Sequence, residues 1–169
     1  MKITHRSKIQ SFILASALGI GLSFASPISA QVRSYILDSN GKGLTDLGTL
    51  GGGNSWARGI NDAGQVVGES STAAGVSHAF ITGSNGLGMT DLGTPGGGSG
   101  SAFGINDAGQ VVGDSFMTSA DIYHAFITGP NGVGMTDLGT LGGVVGYSSA
   151  WGINDVGQVV GDSFTAAGF

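Results

Sequence analysis

Short apolar runs alternate with breaks rich in glycine and asparagine along residues 31–169, and none has the length and 3.6-residue period of a capped helix. His78-Ala79-Phe80-Ile81-Thr82 is one such run, and Gly83 to Gly88 breaks it. Met89 to Thr94 is a second run, followed by a Gly/Ser loop from Gly96 to Ser101. Ala102 to Asn106 and Gln110 to Ser115 are the third and fourth, joined by Asn106-Asp107-Ala108-Gly109. Runs of this length between turn residues predict strands. The Asn85-Gly86 pair tolerates positive φ and suits a hairpin. Asn106 first and Gly109 fourth match a type I turn followed by a glycine bulge.

The same four-run pattern recurs. DLGT begins at Asp46, Asp91 and Asp137, and GIND-x-GQVVG at Gly59, Gly104 and Gly152. HAFIT begins at His78 and His124, with Arg33-Ser34-Tyr35-Ile36-Leu37 in the first copy. The spacing of 45 to 48 residues divides the chain into three units, about 33–77, 78–123 and 124–169. Roughly twelve short strands are expected, with no helix longer than about two turns. The 34 glycines also argue against helix.

The third run of each unit places Ala57 and Gly59, Ala102 and Gly104, or Ala150 and Gly152 on one face. Arg58, Phe103 and Trp151 fall on the other with Ile60, Ile105 and Ile153. That alternation predicts a sheet stacked between neighbours, small residues allowing close approach and isoleucines with aromatics filling the opposite interface. Core filling is therefore the expected role of Phe103 and Trp151.

Residues 1–30 read as a secretory signal peptide. Lys2, Arg6 and Lys8 precede an uncharged apolar stretch from Phe12 to Phe24, and Ala30 supplies a small residue before Gln31. The stretch is short of the roughly 20 residues a membrane span needs. Beyond it only Arg33, Lys42 and Arg58 are basic, while all eleven acids remain, so the charge balance is strongly negative. A duplex nucleic acid requires a basic face, which this composition does not provide. Cysteine is absent, which removes disulfides and thiolate metal sites.

No constellation of catalytic type emerges. His78 and His124 occupy equivalent places, and a residue that recurs with a repeat is scaffold before it is catalyst. Asp38-x-Asn40-x-Lys42-Gly43 begins like a calcium loop, but Lys42 stands where an oxygen ligand is required. Asp62, Asp107 and Asp155 are expected to accept backbone N–H bonds in their turns. Gly51-Gly52-Gly53 and Gly96-Gly97-Gly98 match no phosphate-binding motif and are read as turns that need positive φ. No cofactor or metal is called for.

The HAF strings at His78 and His124, with the three DLGT and three GIND-x-GQVVG strings in register, resemble the HAF repeat family of extracellular bacterial proteins. The resemblance covers nearly all of residues 31–169. It implies export, to the exterior, periplasm or cell surface of a bacterium, and tandem copies in variable number; it implies no catalytic activity. Four strands per unit is the arithmetic of a β-propeller blade. The fold expected is all-β, three four-stranded units forming a partial propeller, with a β-trefoil or threefold β-prism as the alternative. A fourth HAF would fall about two residues beyond Phe169, as in a piece of a longer array.

The functional expectation is a structural or binding role without catalysis, the alternative being a small lectin-like module. The partner would be an extracellular protein or a glycan, and open sheet edges would favour self-association. Two turns keep their length between units, and the other two connections vary. In an up-and-down unit the variable connections share one edge, which would carry Trp56, Asp121, Tyr123 and Tyr147 as the ligand-binding candidates.

Overall fold

A computed structural model describes residues 30–117, 122–142 and 146–165. The expected signal peptide lies outside these residues except for Ala30. The described chain is all-β and contains twelve strands: β1 (Tyr35–Ile36), β2 (Thr45–Asp46), β3 (Gly51–Ile60), β4 (Val66–Thr72), β5 (Ser77–Thr82), β6 (Met89–Asp91), β7 (Gly100–Ile105), β8 (Val111–Phe116), β9 (Tyr123–Thr128), β10 (Met135–Gly139), β11 (Ser148–Ile153) and β12 (Val159–Ser163). Its only helical segments are single 3-10 turns at Ser84–Gly86 and Pro130–Gly132.

The turns form for the reasons expected. Gly64 N–H donates to Asn61 O at 2.9 Å, Gly64 has φ +71°, and the Asn61 side chain accepts from Gln65 N–H at 3.0 Å. Asn85 and Gly86 both take positive φ, as do Asn131 and Gly132. Gly86 N–H then donates to Gly64 O at 2.9 Å, and Gly132 N–H to Gly109 O at 3.0 Å. Those bonds place the two length-invariant turns at one end of a sheet. Among the runs read as glycine turns, Gly51 and Gly97 have positive φ, but Gly51–Gly53 opens strand β3.

The named strands pair antiparallel, in two four-stranded sheets, β3-β4-β5-β6 and β7-β8-β9-β10, and two two-stranded ones, β1-β2 and β11-β12, and an isolated parallel bridge joins Leu50 to Thr72. The sheets are out of phase with the sequence units. Each four-stranded sheet takes its first two strands from one unit and its last two from the next. The register makes the equivalence plain: Gly68 faces Phe80 in the first sheet, and Gly113 faces Phe126 in the second.

The core lies between successive sheets rather than inside any one of them. Val67, Ala79 and Ile81 of the first four-stranded sheet pack with Ala102, Val111 and Phe126 of the second. Leu47 joins Val66 and Phe80 on one side of this pair, and Val112 and Ala125 join Ala150 on the other. A Cβ on Gly59 would stand 3.1 Å from Phe103 O, and one on Gly104 would stand 3.2 Å from Gly152 Cα. The small residues therefore permit close approach, as their pattern predicts.

The opposite face follows expectation only in part: Ile105 and Ile153 pack against the core, but Ile60 and the aromatic positions do not. The register shifts between Ala57 and Gly59, Ala102 and Gly104, and Ala150 and Gly152. Arg58, Phe103 and Trp151 are the extra residues of these bulges, so they leave the plain alternation. Trp151 remains 50% exposed and Ile60 57% exposed. Phe103 and Trp151 form a surface stack rather than the core filling that alternation predicts.

Candidate functional site

Three classes of polar contact recur from sheet to sheet, and they account for most of the residues with chemical potential. The first joins adjacent strands. His78 Nδ1 lies 2.8 Å from Asp91 Oδ2, and His124 Nδ1 lies 2.8 Å from Asp137 Oδ2. Arg33 holds the equivalent place and pairs with Asp46 at 3.0 Å. Each aspartate also accepts a backbone N–H two residues on, from Gly48, Gly93 or Gly139. The Gly48 N–H and the Arg33 guanidinium hold the Asp46 carboxyl below its ordinary range. His124 Nε2 is buried and meets no hydrogen-bond partner among the described residues.

The second class joins turns of successive sheets. Asn61 Nδ2 donates to Asn106 O at 3.0 Å, and Asn106 Nδ2 donates to Asn154 O at 3.1 Å. Asp62 N–H donates to Asp107 Oδ1 at 3.1 Å, and Asp107 N–H donates to Asp155 Oδ1 at 3.0 Å. Asp107 and Asp155 do accept backbone N–H groups, but from the preceding turn, whereas Asp62 enters the ladder as a backbone donor; sequence spacing alone does not reveal that stacking. Asn106 is 3% exposed and also bonds both the side chain and the backbone N–H of Gln110. Asn106→Ala is expected to cost about 2 kcal/mol, because buried donors and acceptors lose their partners. Asn154→Ala, at an exposed turn where the side chain bonds only to Gln158 and the backbone carbonyl that accepts from Asn106 is kept, should cost less than about 1 kcal/mol. Urea unfolding of the two variants checks this; equal losses would refute the asymmetry.

The third class lines the surface beside the bulges. Arg58 Cζ lies 5.5 Å from the Phe103 ring centroid, and the Phe103 and Trp151 rings are 4.6 Å apart with 33° between their planes. Arg58 pairs with Glu69 at 2.6 Å, and Trp151 Nε1 donates to Asp162 Oδ2 at 2.6 Å. Ser101 Oγ donates to Glu69, and Ser149 Oγ donates to Asp114 at 2.7 Å. The serine of one sheet thus meets the acid of the sheet before it.

Burial raises the Asp114 carboxyl above its ordinary value of 3.8; Glu69 pushes the same way, against the Ser149 hydroxyl and Arg58. A raised carboxyl favours the folded state while protonated. Its contribution is full below the unfolded pKa and is lost as pH rises through the folded one. Asp114→Asn keeps an acceptor for Ser149 and removes the titration. Thermal unfolding from pH 3 to 7 should show the variant gaining on the parent as pH rises. A variant that loses ground over that range contradicts the assignment.

The sequence-predicted binding residues are spread over several sheets. Trp56 lies within β3, partly buried, rather than in a loop. Tyr123 opens β9 and stacks on Phe116, with centroids 4.1 Å apart. Tyr147 is half exposed and meets Phe164 edge-on at 5.9 Å. Asp121 lies outside the described residues. Tyr147, Ser149, Asp162 and Phe164 line a shallow hollow. The Phe103–Trp151 stack is the surface feature that sequence reasoning missed. Its signal was the Ala-x-Gly string with a large residue at x in every copy, which marks a bulge in place of an unbroken strand.

Among the described residues no three His, Asp or Glu side chains converge where a metal ion could sit, and no helix is long and apolar enough to cross a membrane. No family model, curated protein or solved structure matches the chain.

Proposed function

We propose that this chain is an exported, non-enzymatic repeat protein of the HAF type, built of propeller-like blades and serving a structural or binding role outside the bacterial cytoplasm. The observation that carries the reading is the commitment of the repeat's polar residues to joints. The His–Asp and Arg–Asp pairs fasten strands, and the Asn and Asp ladders fasten successive turns. A catalytic centre would break that equivalence, because one active site needs one set of residues.

The blade-like reading has two supports. Strand pairing stays within each sheet, and β3, β7 and β11 pack in succession, each later one against the sheet before it. A trefoil or prism would close around a common threefold axis, whereas these sheets form an open series. The export reading rests on the charged start, apolar stretch and small-residue end of residues 1–30. Expression in a Gram-negative host with fractionation tests it: the exported protein should begin at Gln31. Retention in the cytoplasm with Met1 intact would defeat it. Hydrolysis of a glycoside, ester or peptide substrate that disappears in a His124→Ala or Asp137→Ala variant, with the fold preserved, would overturn the non-enzymatic reading.

The second reading, a lectin-like module, is favoured by one observation. Half-exposed Trp151 and Tyr147 stand beside Asp162, pairing aromatic faces with a carboxylate as sugar rings require. Titration of the full chain with neutral oligosaccharides, followed by tryptophan fluorescence, tests it. On that reading Trp151→Ala and Tyr147→Ala weaken binding, while Asn85→Ala and Asp107→Ala leave it intact. The reverse pattern would remove the variable edge as the binding surface.

A further inference from the structure

The two two-stranded sheets are complementary halves of one four-stranded sheet. In sequence register, β11-β12 corresponds to β3-β4 and β7-β8, whereas β1-β2 corresponds to β5-β6 and β9-β10. The inner sheets join these halves through β4-β5 and β8-β9. Among the described residues, the matching edges of β12 and β1 are both unpaired. We propose that β12 of one copy takes up β1 of a second copy, so that β11-β12 and the incoming β1-β2 complete a four-stranded sheet head to tail. This rests on the blade-like reading of the sheets.

Register and exposure argue for that occupant. Val67 faces Ile81 and Val112 faces Ile127, so Val160 would face Ile36 of the second copy. Phe80 lies against Gly68 and Phe126 against Gly113, so Tyr35 of the second copy would lie against Gly161. Phe116 pairs with Tyr123, which puts Phe164 opposite Val32 of the second copy. The residues at these internal positions are covered: Val67, Val112, Phe80 and Phe126 are all 0% exposed. Their terminal counterparts are not, with Val160 at 66% and Tyr35 at 60%; Phe164 at 66% and Val32 at 48% stand open where Phe116 and Tyr123 are partly buried. An unpaired strand edge with exposed apolar side chains invites another strand.

The next layer fits as well. β1-β2 is already seated on β3, with Ser55 N–H donating to Val32 O at 2.8 Å and Ser34 N–H donating to Ser55 Oγ at 3.1 Å. The arriving β1-β2 would therefore bring β3 of the second copy over β11-β12. The Asn154 side chain would then find Asn61 O, continuing the Asn61–Asn106–Asn154 ladder. Trp56 of the second copy holds the place of Ser101 and Ser149, which donate to the acid of the preceding sheet; here that acid is Asp162. One internal bond has no counterpart, since Leu37 replaces the threonine whose hydroxyl accepts Val66 N–H or Val111 N–H. The contact is heterologous, so it builds rings or open arrays and not a two-fold dimer.

The chain has no cysteine, so cross-links can be placed on a silent background. Full-length Ile36→Cys and Val160→Cys variants are mixed and mildly oxidised. The expected product is a covalent dimer with one chain of each kind, at least about ten-fold above the Leu87→Cys with Val160→Cys mixture, because docking raises the effective thiol concentration. Each variant alone should stay at that control level. Unmodified protein should gain mass with concentration in light scattering. A mixed yield at the control level overturns the proposal. So does a double Ile36→Cys/Val160→Cys chain that closes on itself in dilute solution, since one chain would then complete its own sheet. If Ile36→Cys fails to show the parent's cooperative melt, Val32→Cys with Phe164→Cys reads the same register from two exposed positions. A failed cross-link with the all-β circular dichroism intact rejects this contact alone; export and ligand binding are read by the separate assays above.

Discussion

Replacing Phe126 with alanine is expected to destabilise the protein by about 3–5 kcal/mol. Phe126 is 0% exposed and sits in β9 between β8 and β10. It packs with Val67, Ala79, Ile81, Ala102 and Val111, so it touches two sheets at once. The cost has two parts, the lost transfer energy of the ring and a cavity between sheets that hydrogen-bonded strands cannot readily collapse. Tyr35 holds the equivalent place in β1 but is 60% exposed. Tyr35→Ala should therefore change the stability of a dilute single chain by no more than about 0.5 kcal/mol. Urea unfolding of both variants, followed by circular dichroism, checks the contrast. A Phe126→Ala loss below about 1 kcal/mol would mean that the sheets do not share this core.

Gly113→Ala is expected to be nearly as damaging, at about 3 kcal/mol, through crowding instead of emptying. Gly113 lies inside β8 and does not have the positive φ that would itself demand glycine. What demands it is space. A methyl there would run into the carbonyl of Ser101 on β7, stand 2.8 Å from Ala102 Cα and stand 2.9 Å from Phe126 Cε1. Two of these are backbone atoms of a paired strand, which cannot rotate aside. Gly68 and Gly161 meet the carbonyls of Trp56 and Ser149 in the same way. Gly88 separates this effect from backbone strain, since it has φ +68° with nothing within 4 Å of its notional Cβ. Gly88→Ala should cost about 1 kcal/mol, the strain alone. Thermal and urea unfolding of the pair decide it; a Gly113→Ala loss no greater than that of Gly88→Ala would show that β7 yields.

Much of the local structure was legible because it depends on neighbours in the chain. Asn85 and Gly86 announce their positive φ, Asn106 and Gly109 announce their turn, and strand-length apolar runs between them announce twelve strands. The repeat of these signals also announced that His78 and His124 hold equivalent places, and both do pair with the equivalent aspartates. Two properties were decided only in three dimensions. Which strands share a sheet depends on hydrogen bonds across the connections, so β5 joins β4 of the preceding sequence unit, a choice that the repeat period leaves open. The face on which Phe103 and Trp151 lie depends on one extra residue at each bulge, and a single insertion reverses a two-residue alternation. The same limit applies to Asp107 and Asp155, whose bonding partner is a turn about one repeat away in the chain. A periodic sequence specifies the pieces and their spacing; contacts between pieces of equal rank are settled by packing, because the local signals on either side of each contact are the same.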